Sequence, residues 1–325
     1  MRHVREEPAF RQRSSNEAAK TGEVSRWLLA GDPAIRWQAL RDLADAPARA
    51  VERERERVAT EGWGARLLNR QDAKGTWAGG LYGPKWKSTT YTMLSLRDLG
   101  LPPRNRQAKK ACSLLLDEGL CSDGGIDYPS RDHAETCITG MVLSILSYFQ
   151  YDDDRLDAVA AHLLEQQMSD GGWNCQRPRG ATHASMHTTI SVLEGLRLYE
   201  QHRRLRAGAI RSAQSRGREF LLQHRLFRSH RTGEVNKRDF VRLAYPPRWH
   251  YDVLRALDYF REVDAPRDER LSDAISLLEE KRRPDGRWKL ELRYRGKVFF
   301  ELERLGMPSR WNTLRALRVL RWWNG

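Results

Sequence analysis

The sequence predicts an all-α chain built from repeated helix–turn–helix units, and three observations carry that expectation. A turn of the form Gln-x-x-x-Gly-x-Trp recurs between helical stretches, running from Gln71 to Trp77 and again from Gln167 to Trp173. The helices that follow the turns begin with similar Thr-rich segments. Period-two runs, which would mark half-buried strands, do not rise above background.

Taken in order, residues 24–46 read as a helix, a Gly31-Asp32-Pro33 turn and a second helix. Pro33 suits a first helical turn, where its missing N–H would have no partner anyway. Leu28, Leu29, Ile35, Trp37, Leu40 and Leu43 supply the apolar stripe. Residues 47–70 read as a charged helix. A third turn, Arg282 to Trp288, has Arg in place of Gln, and Asp123-Gly124-Gly125-Ile126 is a degenerate copy without the Trp. The glycines provide the positive-φ step of the turn. Each Trp is expected to fill the gap between neighbouring helix pairs, with its N–H seeking an acceptor. Segment 202–239 is the most basic and reads as an outer helix followed by a long polar loop.

Five helix entrances align. Ser88-Thr89-Thr90-Tyr91, Glu135-Thr136-Cys137-Ile138 and His187-Thr188-Thr189-Ile190 open three of them. Asp252 and Asn312 open the last two, matched through a shared Leu-Arg-Ala-Leu and a preceding Arg-Trp pair (Arg248-Trp249 and Arg310-Trp311).

The chain has 325 residues, 40% of them hydrophobic, enough for a large core. No run approaches the roughly 18–20 apolar residues that span a membrane, and the N-terminal stretch lacks the apolar segment of a secretory signal. Cys112, Cys121, Cys137 and Cys175 fall in no disulfide-like or CxxC spacing, so reduced thiols and a cytoplasmic location are expected. The net charge of +14 leaves contact with an anionic membrane surface or a polyanion open.

The turns, the alternating helices and the Thr-rich starts resemble the terpenoid-cyclase and protein-prenyltransferase superfamily over roughly residues 65–325. The resemblance implies an α/α toroid, a barrel of inner and outer helices around a central cavity. It divides the chain into a disordered tail (1–20), a helical extension packed on the toroid (21–65) and the toroid itself (66–325). Ser88, Glu135, His187, Asp252 and Asn312 would then form a polar ring at the mouth of an otherwise apolar barrel.

Those prenyltransferases hold zinc with an Asp-x-Cys at one inner-helix entrance and a His followed by Thr at a later one. Glu135-Thr136-Cys137 looks like the first piece, with Glu for Asp, and His187-Thr188 like the second. A second ligand set combines Cys175, His183 and His187, the two histidines being four apart. The class II cyclase motif Asp-x-Asp-Asp is absent, and Asp152-Asp153-Asp154 has the wrong spacing. Glu135 or Asp252 in a dry cavity is the alternative, a general acid of a metal-free cyclase or isomerase.

Arg131, Arg177, Arg179, Arg248 and Arg310 precede inner helices and are placed to meet a diphosphate. Trp86, Tyr91, Trp249, Tyr251 and Trp311 would wall the cavity, with Asn312 at its rim. The expected substrate is an isoprenoid or another apolar small molecule. A lipid-binding or nucleic-acid-binding protein without catalysis is the rival, nucleic acid being the less favoured ligand.

Overall fold

A computed structural model describes residues 22–128, 133–203 and 205–325. The expected N-terminal tail and Arg131 lie outside the described residues. The helices are α1 (22–29), α2 (Pro33–Asp42), α3 (Ala48–Glu56), α4 (Gly62–Leu68), α5 (Thr89–Leu99), α6 (Arg106–Asp117), α7 (Thr136–Tyr148), α8 (Arg155–Glu165), α9 (Met186–Arg203), α10 (Ala207–Gln223), α11 (Val253–Glu262), α12 (Ser272–Glu280) and α13 (Arg310–Asn324). Among the described residues the strands are one short antiparallel pair, Trp288–Lys289 with Pro308–Ser309. No helix there is long and apolar enough to cross a membrane.

Burial sorts the helices into two layers. α6 buries one stripe, Ala108, Ala111, Cys112, Leu115 and Leu116, at the 3–4 spacing of a helix with one face on the core. α8, α10 and α12 do the same. α5, α7 and α11 are buried almost all round, as helices enclosed on every side must be. Neighbouring inner helices pack α5 on α7, α7 on α9, and α11 on α13. Arg255 of α11 meets Glu194 of α9 at 2.7 Å. α2 packs on α13 and reaches α5, its Trp37 Nε1 donating to Leu99 O and Gln38 Nε2 to Asp98 O. The inner layer therefore closes on itself, and the fold is an all-α α/α toroid.

α7 and α9 pack most intimately because glycine permits it. A Cβ on Gly195 would sit 2.5 Å from Gly140 O, and one on Gly140 2.9 Å from Ser191 O. Only bare backbone allows such an approach.

The Trp turns are built alike. Trp77, Trp173 and Trp288 are fully buried, and each indole N–H donates to a carbonyl ten residues back, on Leu67, Leu163 and Leu278. Each Trp backbone N–H donates to a Thr hydroxyl in the next inner helix, Thr89, Thr189 and Thr313. The degenerate copy keeps this bond, from Ile126 N to Thr139 Oγ1. Gln71 and Gln167 tie their turns onward, donating to Gln107 O and Ala213 O near the following outer helices.

Candidate functional site

The turns place the N-terminal ends of the inner helices at one mouth of the toroid, around a cavity of about 510 Å³. Glu135 caps α7, Cys137 lies in the first turn of that helix, and Cys175 comes from the loop after Trp173. One ligand atom from each of these three lies within 4.8 Å of the others. The Cys137 thiol donates to Glu135 Oε1 at 2.9 Å, with the Cys175 sulfur within 4.8 Å of both. Cys137 is buried and Cys175 half-buried.

The two thiols are electrostatically unequal. The hydrogen bond from Cys137, helped by Thr188 and Gln176 and opposed by burial, brings the Cys175 thiol down to about 6. Its own hydrogen bond to Cys175, then burial and the Glu135 charge, push the Cys137 thiol well above its ordinary range. One thiolate beside one thiol is the resulting state at neutral pH.

His187 faces the same cavity but stands apart from the thiol group. Its ring is edge-on to Phe240 and Trp249, with centroids 5.2 Å away in both cases. The Tyr251 backbone N–H donates to His187 Nδ1 at 2.9 Å. A neutral imidazole that accepts at Nδ1 keeps its proton on Nε2, so His187 presents a donor to the cavity rather than a lone pair for a metal. Burial, with the charges of Lys237 and Arg255, lowers its pKa to about 4, so it is uncharged at pH 7. Tyr82, Lys85, Lys237 and Trp249 complete the wall, the Lys85 ammonium lying 5.2 Å from the Tyr82 ring and 5.8 Å from that of Trp249.

The other residues singled out from the sequence are placed elsewhere. His183 stays in the exposed loop, because α9 begins at Met186 and the two histidines never share a helical face. Asp252 is buried as the N-cap of α11, its two oxygens accepting from Arg255 N and Ala244 N. Asn312 spans Leu243 O and Lys289 O, and Tyr251 donates to Leu226 O. Trp86 donates to Arg295 O and stands edge-on to Tyr91. Arg248 donates to Ser95 Oγ, and burial lowers its pKa to about 10. Arg310 lies over the Trp27 ring, Arg177 turns to Glu165 O, and Trp311 lines a different cavity. Asp152 and Asp154 are exposed beyond the far end of α7 and pair with Arg203.

The interior is not the apolar barrel expected from the sequence. Glu194 sits between Arg97 and Arg255, and Arg97 also donates to Ser144 Oγ, so one charged layer ties α5, α7, α9 and α11 together. Asp258 similarly holds Arg318, with Nε at 2.8 Å, and Arg315. Burial alone would raise the Glu194 carboxyl, but Arg255 and Arg97 outweigh it and hold it at about 2. Among the described residues none lines both the mouth cavity and the cavity beyond this layer.

The aligned helix entrances set Cys137 opposite Thr189, and the structure changes that register. Counted from the Thr that receives the turn N–H, Cys137 and His187 occupy the same position, each two residues before its Thr (Thr139 and Thr189). The repeated Thr was visible in the sequence and would have corrected the register.

No family model and no curated protein matches this chain. Among solved structures it is similar to the apo form of the type II terpene cyclase MstE from Scytonema. The two are 16% identical, with a TM-score of 0.35, over 74% of this chain and 82% of that one.

Proposed function

We propose that this chain is an enzyme that works at the mouth cavity, with Glu135, Cys137 and Cys175 as ligands of a zinc ion and an apolar small molecule, an isoprenoid first, as substrate. The observation that carries the reading is the convergence of those three side chains, from two separate segments, within 4.8 Å on a cavity wide enough for a ligand. Two sulfurs and a carboxylate oxygen suit zinc and leave a fourth position open. Zinc bound there would lower the pKa of a thiol or water at that position.

The surrounding residues have defined parts in this reading. Tyr82, Phe240 and Trp249 offer ring surface to the apolar portion of the substrate. His187 offers an Nε2–H donor held in orientation by Tyr251. Lys85 and Lys237 bring positive charge for an anionic head group. The Arg97–Glu194–Arg255 layer limits the apolar part to what the mouth cavity accepts. Metal-free acid catalysis is the weaker reading, since both Asp252 oxygens are engaged by backbone N–H groups and only Glu135 remains as the acid.

Metal analysis of the reduced protein tests the proposal. One zinc per chain is expected, lost in Cys137→Ala and Cys175→Ala, weakened in Glu135→Ala and retained in His187→Ala. A wild-type protein that takes up no zinc when it is added would end the metal reading.

A further inference from the structure

Beyond the charged layer, the C-terminal halves of α5, α7, α9 and α11 surround a second cavity of about 570 Å³. Exposed Arg41, Gln150 and Gln201 stand at its rim, so it opens to solvent on the side away from the thiols. We propose that this cavity is a binding site for a small multivalent anion rich in acceptor oxygens, of the phosphate or polycarboxylate class.

Charge is the first argument. Among the described residues, seven arginines line the cavity against four carboxylates, and Asp42 beside it pairs with Arg41 and Arg318, so arginine still stands in excess. The carboxylates are already engaged: Glu194 by Arg97 and Arg255, Asp98 by Arg97, Asp258 by Arg318, Glu262 by Arg197. Arg55 is left with neutral partners at hydrogen-bond distance, Gly100 O at 3.0 Å and the Tyr148 hydroxyl at 3.1 Å. Its carboxylate neighbour, Glu52, is 3.7 Å away and more than half exposed.

The second argument is an imbalance of donors. Ser147 Oγ, Trp311 Nε1, Arg197 Nε and His202 Nε2 all belong to lining residues, are shielded from solvent, and have no hydrogen-bond partner among the described residues. Ser147 is 3% exposed and Trp311 2%. An indole N–H and a guanidinium Nε–H can only donate. Leaving such groups unpaired is unfavourable, so a partner with acceptors is favoured. The helix C-termini offset part of the positive charge, yet none of their carbonyls accepts from these four atoms. A ligand that supplies both oxygens and negative charge meets both demands. Arginine and indole N–H groups together select multivalent oxyanions over halide or neutral polar molecules.

The test is calorimetric titration of the reduced full chain with inorganic diphosphate and, separately, with citrate, at low ionic strength. Saturable one-to-one binding of at least one probe is expected. Diphosphate alone would assign a phosphate ligand, and citrate alone a polycarboxylate. Arg55→Met should weaken binding about tenfold or more, as loss of a charge-assisted contact does. Trp311→Phe, which keeps one aromatic ring and removes the N–H together with its fused ring, and Ser147→Ala should each weaken it about three- to tenfold. Circular dichroism on each variant confirms that the fold is intact. Absence of saturable binding by either probe up to about 10 mM overturns the proposal. So does binding that Arg55→Met alone weakens, because that marks a rim arginine and not the cavity.

Discussion

Removing the Cys137 thiol should raise the pKa of the Cys175 thiol. In the wild type the hydrogen bond from Cys137 is the largest influence holding the Cys175 thiol at about 6, against an ordinary value of 9.0. With a midpoint of about 6, roughly nine-tenths of Cys175 is thiolate at pH 7, whereas with a midpoint near 9 only about one-hundredth is. The thiolate fraction thus drops by about 90-fold. A more basic thiolate is also a better nucleophile, and over that range the gain is about 20-fold. In metal-stripped Cys137→Ala protein, alkylation of Cys175 by iodoacetamide at pH 7 should therefore slow only about four- to fivefold. The pH midpoint of the rate should move up from about 6 toward 9. Peptide mass spectrometry across pH 5–10 reads both quantities, with Cys112 as an internal control because burial pushes it up to about 12. A Cys175 profile centred near 9 in the wild type, or one centred near 6 in both proteins, would refute the thiol–thiol coupling.

Three further outcomes follow from the fold. Trp173→Phe keeps one aromatic ring but removes the fused ring and its N–H, leaving Leu163 O without its donor and a void in a fully buried site, and should cost about 2–4 kcal/mol in urea unfolding. Substituting Thr189 by Val, which leaves the Trp173 backbone N–H unpaired, should cost about 1–3 kcal/mol. Glu194 has a folded pKa of about 2 against an ordinary 4.5, so its stabilising contribution is present above 4.5 and is lost as pH falls through 2. That contribution is about 3 kcal/mol. The wild-type urea midpoint should decline over this acid range, and Glu194→Gln should be less stable at pH 7 and lack that part of the decline. An unchanged acid profile in the variant would show that Glu194 is not held by Arg97 and Arg255.

The turns were legible because their chemistry is local. Gln, Gly and Trp at fixed spacing specify a positive-φ step and a large ring whose N–H finds a carbonyl ten residues back, all within one short segment. The all-α class followed from the same segments and the absence of period-two patterning. Glu135, Cys137 and Cys175 were each named from sequence, but their grouping was not. The sequence reading paired Glu135 and Cys137 with His187, or Cys175 with His183 and His187. It did not bring Cys175 to the α7 pair, because that contact crosses from the loop after Trp173 to a helix some forty residues earlier. The charged interior was also hidden: Arg97, Glu194 and Arg255 look like surface residues of polar helix faces until those helices are known to be inner ones.

By itself, then, the sequence determined the helices, the turns between them and the residue types gathered near the mouth. Tertiary structure decided register and partnership. One residue along a helix turns a side chain by about 100°, so an alignment of entrances that is off by one to three positions sends the matched residues to different sides. Ser88, Glu135, His187 and Asn312 stand one, four, two and one residues before the Thr that fixes each helix to its turn. That hydrogen bond forms only when turn and helix pack, and it fixes the registers that bring Cys137 near Cys175 and turn Asn312 to backbone carbonyls, while Asp252 is taken up as the N-cap of α11.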